Sequence, residues 1–80
     1  MAKSSVKTVA DCKPGTVVES VIRHAGGLLT SGNFYKLGSP DPMSGRVVAW
    51  SRWTGHRLML HPSVKVVDVS REAVANGWKF

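Results

Sequence analysis

Residues 46–61, Arg-Val-Val-Ala-Trp-Ser-Arg-Trp-Thr-Gly-His-Arg-Leu-Met-Leu-His, hold one two-residue alternation that runs without a break on both sides of Thr54-Gly55. Glycine takes positive φ at no steric cost, so Thr-Gly between two apolar runs signals a β-hairpin. A two-residue turn sets Trp53 against His56, Ser51 against Leu58 and Ala49 against Leu60, with Val47 on the same side. That side is mostly apolar and belongs inward. The opposite side places Val48, Trp50 and Arg52 across from Arg57, Met59 and His61. In this register Arg52 and Arg57 face each other and repel, which predicts an anionic partner lying over them.

A chain of 80 residues has room for one domain, here read as 1–80 with residues 1–5 frayed, and for a single thin core. Its hydrophobic fraction of 42% is that of an ordinary globular sequence, which argues against disorder over the whole length. Eleven Lys and Arg against five Asp and Glu give +6, and long-range attraction to polyanions follows. A solubility role explains the same excess. One cysteine, Cys12, cannot build an internal disulfide framework and fits a reducing compartment. No apolar signal-peptide core occupies residues 1–10, and no run of apolar residues reaches membrane-spanning length. A soluble, cytoplasmic protein is expected.

Along the chain, Val6 to Ala10 reads as a short edge strand. Pro14-Gly15 suits the centre of a type II turn, so a strand leaves at Thr16 and continues to Arg23, with Val18 and Ile22 on one face and Val17 and Val21 on the other. His24 to Asn33 reads as a glycine-rich loop folding back as an irregular ribbon; Leu28 and Leu29 within it either tuck beneath it or form an exposed contact. Phe34 to Leu37 is a short strand, and the prolines and glycines of 38–45 forbid a regular element. After the hairpin, Val64 to Val69 is a last strand with Val64 and Val66 on one face and Val67 and Val69 on the other. Ser70 is placed to cap a helical turn through Asn76 that Gly77 stops, which sends Trp78 and Phe80 back over the sheet. About five short strands joined by turns predict a mainly β fold: a small twisted antiparallel sheet forming a partly open, SH3-like or OB-like barrel, with a short C-terminal helical turn.

The opener Asp11-x-Lys13-Pro14-Gly15-Thr16-Val17, the strand Phe34-Tyr35-Lys36-Leu37, the strand-Thr-Gly-strand hairpin and the closing Pro62-x-x-x-Val66 resemble a group of small bacteriophage proteins with a compact SH3-like β-barrel. The likeness covers about residues 8–69. Cys12 departs from the aliphatic residue usual there, and the 38–45 loop is long. The resemblance implies the barrel fold and a phage-infected bacterial cytoplasm, and it carries no catalytic residues.

Enzymatic chemistry finds little footing. The five carboxylates are scattered, so no pair shares a face for acid–base work. His56 and His61 are five apart on an extended strand and point to opposite faces, and no Cys-x-x-Cys spacing announces a metal, so neither metal nor cofactor is expected. Cys12 beside Lys13 reads either as a buried, inert thiol or as one with a lowered pKa. His61 reads as a strand-end hydrogen-bonding residue or as a cation recruited by phosphate. The aromatic and basic face carries the functional reading. Guanidinium groups bind phosphate with forked hydrogen bonds, and a flat indole between them stacks a base. Trp50, Arg52, Arg57 and Met59, extended by Lys36, Arg46 and His61, form this candidate surface; its alternative is that Trp50 and Met59 are core. The sequence therefore predicts a non-enzymatic binding protein, with DNA or RNA as partner and no membrane or small-molecule substrate. A phage-encoded modulator docking on host transcription or replication machinery is the alternative, and a virion subunit a third.

Overall fold

The computed structural model of the chain describes residues 6–24 and 27–80, and gives the backbone alone for 23, 24 and 28–30. The readings of Met1 to Ser5 as frayed and of Leu28 and Leu29 as tucked or exposed fall outside what is described. Six strands form one antiparallel sheet: β1 (Val6–Thr8), β2 (Val17–His24), β3 (Gly27–Pro40), β4 (Val47–Ser51), β5 (Arg57–Leu60) and β6 (Lys65–Asp68), followed by helix α1 (Ser70–Asn76). The order across the sheet is β1-β6-β2-β3-β4-β5. The sixth strand comes from Val6–Thr8, which pairs with β6 as an edge. No helix among the described residues is long and apolar enough to cross a membrane.

The sheet curls because one face must bury its valines. Val18, Leu37, Val47, Ala49 and Val66 project from β2, β3, β4 and β6 into one cluster with Val9, and Tyr35, Leu58, Leu60 and Val64 pack at its margin. Val9 sits on a 3-10 turn, Val9–Asp11, whose amides tie the first edge to the segment before β6: Val9 N–H donates to the Val64 carbonyl at 2.9 Å and Ala10 N–H to that of Pro62 at 3.0 Å. Those two bonds bring residues from both ends of the strand order around one core, and the product is a small, partly open barrel.

Local sequence explains most of the joints. Thr16 N–H bonds the Lys13 carbonyl at 3.1 Å across Pro14-Gly15, and Gly15 has φ +91°, as a type II turn requires. The ribbon of β2 and β3 keeps strand pairing through the glycine-rich stretch read as a loop, so β3 is 14 residues long. The pairing is interrupted where Ser31, Gly32 and Asn33 bulge out together opposite Ser20, and resumes at Val21 and Thr30. The bulge is held by Gly32 N–H to Glu19 Oε2 at 2.8 Å and a Ser20–Ser31 hydroxyl bond of 2.6 Å. Pairing also continues to Pro40, beyond the expected strand end, through a second bulge between Leu37 and Pro40. Ile22, four residues along β2 from Val18, is exposed while Val18 is buried, because the ribbon past the first bulge extends beyond the buried cluster.

The outer face of β2 and β6 is covered by α1 and the chain end. Val17, Val67, Val69 and Ala73 are buried there, with Val21, Phe34, Trp78 and Phe80 packed against them. Gly77, at φ +65°, ends α1, and the Trp78 N–H reaches back to the Ala73 carbonyl at 3.0 Å, which aims the indole at the sheet. Ser70 does not cap the helix as its position suggested. Its hydroxyl oxygen instead accepts the Val17 N–H at 2.9 Å, pinning α1 to β2, while Asp68 Oδ1 takes the Ser70 N–H at 2.9 Å.

That last bond holds the Asp68 carboxyl below its ordinary value, against an opposing contribution from partial burial. Asp41 is lowered in the same way by the Ser44 hydroxyl and the Met43 N–H. A carboxylate depressed in the folded state adds stability above its unfolded pKa and loses it as pH falls through the folded value. The thermal midpoint should therefore drop as the pH is taken down through and below the ordinary carboxylate range, and less steeply in an Asp41→Asn, Asp68→Asn double variant. Parallel curves would remove both groups from the acid transition.

Candidate functional site

The β4–β5 hairpin is two residues out of the expected register. Trp50 pairs with Arg57, Ala49 with Leu58 and Val47 with Leu60. The turn holds four residues, Arg52 to Gly55: Gly55 N–H bonds the Ser51 carbonyl at 2.8 Å, and Ser51 N–H bonds that of His56 at 3.1 Å. Gly55, at φ +73°, closes it. Two anchors outside the hairpin accompany this longer turn. Arg52 N–H donates to the Phe34 carbonyl at 2.9 Å, and Trp53 Nε1–H donates to the Gly32 carbonyl at 2.9 Å, on the β3 bulge. Trp53 and His56 are consequently exposed and do not face inward, and Arg52 is not opposed to Arg57.

Because the displacement is two residues, each side of the ribbon keeps its residues. Val47 and Ala49 are buried, and Leu58 and Leu60 pack on the same core. Trp50 is half-buried on the outer surface, Arg57 is exposed and Met59 is 37% exposed. Lys36 pairs with Trp50 and Trp50 with Arg57, so one row across β3, β4 and β5 reads ammonium, indole, guanidinium. The neighbouring Val48–Met59 pair continues this face toward Arg46 and His61, both exposed, which lie just beyond the Val47–Leu60 pair. His61 Nδ1 is engaged by the Ser63 N–H at 3.1 Å and hydroxyl at 2.7 Å, so its ring is held by the turn into β6.

The indole of Trp50 lies against Gly38 of β3. A Cβ built on Gly38 would stand 3.0 and 3.1 Å from two atoms of the Trp50 ring and 3.5 Å from Val48 Cβ. The bare glycine is what lets the ring settle on the strand. Gly38→Ala should lift the indole, costing about 1 kcal/mol by the penalty for overpacking and altering the intrinsic fluorescence. An unchanged melting temperature and spectrum would mean that the ring does not rest there.

Arg52 has a different environment from the one its alternation implied. Its guanidinium carbon stands 4.8 Å from the Trp78 ring centroid, 5.7 Å from that of Trp53 and 6.0 Å from that of Phe34. Phe34 and Trp78 themselves meet at 4.6 Å between centroids. Arg52 thus joins the hairpin tip to the C-terminal segment through its contact with Trp78. Sequence reasoning left Trp78 and Lys79 out of the candidate surface. Trp78 is 26 positions from Arg52 and meets it only through the α1 turn-back, so no local spacing signals the contact.

Most carboxylates serve the fold. Asp11 accepts the Thr8 hydroxyl, Glu19 the Gly32 N–H, Asp41 the Met43 N–H and Ser44 hydroxyl, and Asp68 the Ser70 N–H. Acidic groups are thereby committed to turns, a bulge and a helix start. Cys12, whose thiol donates to the Thr8 carbonyl at 3.5 Å, has its pKa raised by burial, with Lys7 opposing. A lowered, nucleophilic thiol is therefore not what this position provides. Among the described residues no three His, Cys, Asp or Glu converge as a metal site. Comparison with protein-family models, curated proteins and solved structures gives no match for this chain.

Proposed function

We propose that the protein is a non-enzymatic binding module that holds nucleic acid on the outer face of β3, β4 and β5. The observation that carries this reading is the cross-strand row Lys36–Trp50–Arg57, in which two cations flank an indole that rests against Gly38. Cationic groups neutralise backbone phosphates, while the aromatic surface accepts a base or sugar. Met59, Arg46 and His61 extend the face along the hairpin. Arg52, held among three rings, acts chiefly by fixing the hairpin tip. The setting assumed is a bacterial cytoplasm.

Binding of this kind weakens with salt by about 0.7–0.9 log units per phosphate contact for each tenfold rise in salt. Lys36 and Arg57 are both exposed, so Lys36→Gln with Arg57→Gln should leave the fold intact and flatten the slope by about 1.4–1.8 for two lost contacts. An unaltered slope takes the row out of the site.

A second reading, a phage-encoded modulator docking on a host protein, draws on Trp53. This indole is 67% exposed yet anchored through its N–H to Gly32, a pre-positioned aromatic of the kind protein interfaces use as anchors. Retention of one stoichiometric protein from nuclease-treated lysate, lost on Trp53→Ala, favours it over nucleic acid.

A further inference from the structure

A cleft of about 390 Å³ opens between α1 with its following residues and the outer face of β2 and β3. Val17 and Ala73, both buried, belong to its apolar lining, with Val74 and the half-buried Trp78 beside them. The charged side chains lining it are Lys36 and Lys79, and no carboxylate is among its lining residues. Its occupant must therefore combine a flat or apolar body with negative charge.

Lys36 belongs both to this cleft and to the row with Trp50 and Arg57. A strand whose phosphates follow that row is led by Lys36 to the cleft mouth. The volume lies toward the small end of ligand pockets, of order 300–1,000 Å³, and suits one nucleotide. A paired base cannot enter without leaving its stack, at a cost of a few kcal/mol, whereas an unpaired one enters freely. Resting on the function proposed above, we infer that the cleft takes one unpaired nucleotide of a single strand, its base against Trp78 and Val74 and its phosphate between Lys36 and Lys79. The protein is thereby selective for single-stranded over duplex nucleic acid.

Val74 is 84% exposed and Lys79 is exposed, so Val74→Glu and Lys79→Gln change the rim without touching the core. Fluorescence anisotropy with an oligothymidylate of about eight nucleotides and with a blunt duplex of equal length provides the test, with circular dichroism checking the fold. The single strand should bind about tenfold tighter than the duplex, each variant should lower single-strand affinity about five- to tenfold, and duplex affinity should move less than about twofold. Equal binding of both forms, or variants that leave the single strand unaffected, overturns the cleft assignment; the Lys36 and Arg57 salt slope then still stands as a test of the face. Binding of neither form overturns the cleft and the proposed function together.

Discussion

Leu37→Ala should lower the unfolding free energy by about 3 kcal/mol, the largest stability effect expected from a single side chain here. Leu37 is 1% exposed and clusters with Val18, Val47, Ala49 and Val66, and it ranks first by volume among the fully buried side chains. Truncation removes transfer energy and leaves a cavity that short, hydrogen-bonded strands cannot collapse to fill. For a domain of this size the loss is a large part of a total of roughly 4–12 kcal/mol, and the melting midpoint should fall by about 12–24 °C. A fall of only a few degrees would show that the core is looser than its packing implies.

Trp78→Ala is the second large effect, at about 2–3 kcal/mol, toward or below the low end for aromatic truncation because the ring is half-buried. It uncovers Val17, Val67 and Val69 and strips Phe34 of the ring tilted against it. Part of the loss belongs to Arg52, whose guanidinium lies 4.8 Å from the same ring. A double-mutant cycle with Arg52→Ala should therefore return a coupling of about 1 kcal/mol, as a partly desolvated cation–aromatic contact gives. Strict additivity would reduce the pair to proximity. If the coupling is present, truncating Trp78 should also loosen the hairpin tip, since the Arg52 backbone is bonded to Phe34.

Much of the fold could be read before any coordinates, and for a definite reason. Which face of a strand is buried depends on alternation alone, so Val64 and Val66 were separable from Val67 and Val69, and Val47 and Ala49 from Val48 and Trp50. Pro14-Gly15 and Gly77 were legible because their backbone geometries are chemically restrictive. Pairing partners were not legible to the same degree. Thr54-Gly55 suggested a two-residue turn, but the strands settle two residues apart from that arrangement, with bonds from Arg52 and Trp53 to Phe34 and Gly32, which lie distant in sequence. The candidate surface divides along the same line. The outward side of the hairpin followed from alternation, whereas the Gly38 seat for Trp50, the aromatic enclosure of Arg52 and the cleft beside Trp78 exist only after strands and helix are brought together.

The bulge at Ser31 to Asn33 sets three residues of β3 against one of β2, an excess of two. Two is an even number, and evenness is what keeps the ribbon beyond the bulge from being turned inside out relative to the barrel. Length variants of this ribbon should therefore arise in pairs: a net change of two residues keeps the facing of the strands on both sides of the cut, while a change of one reverses it on one side.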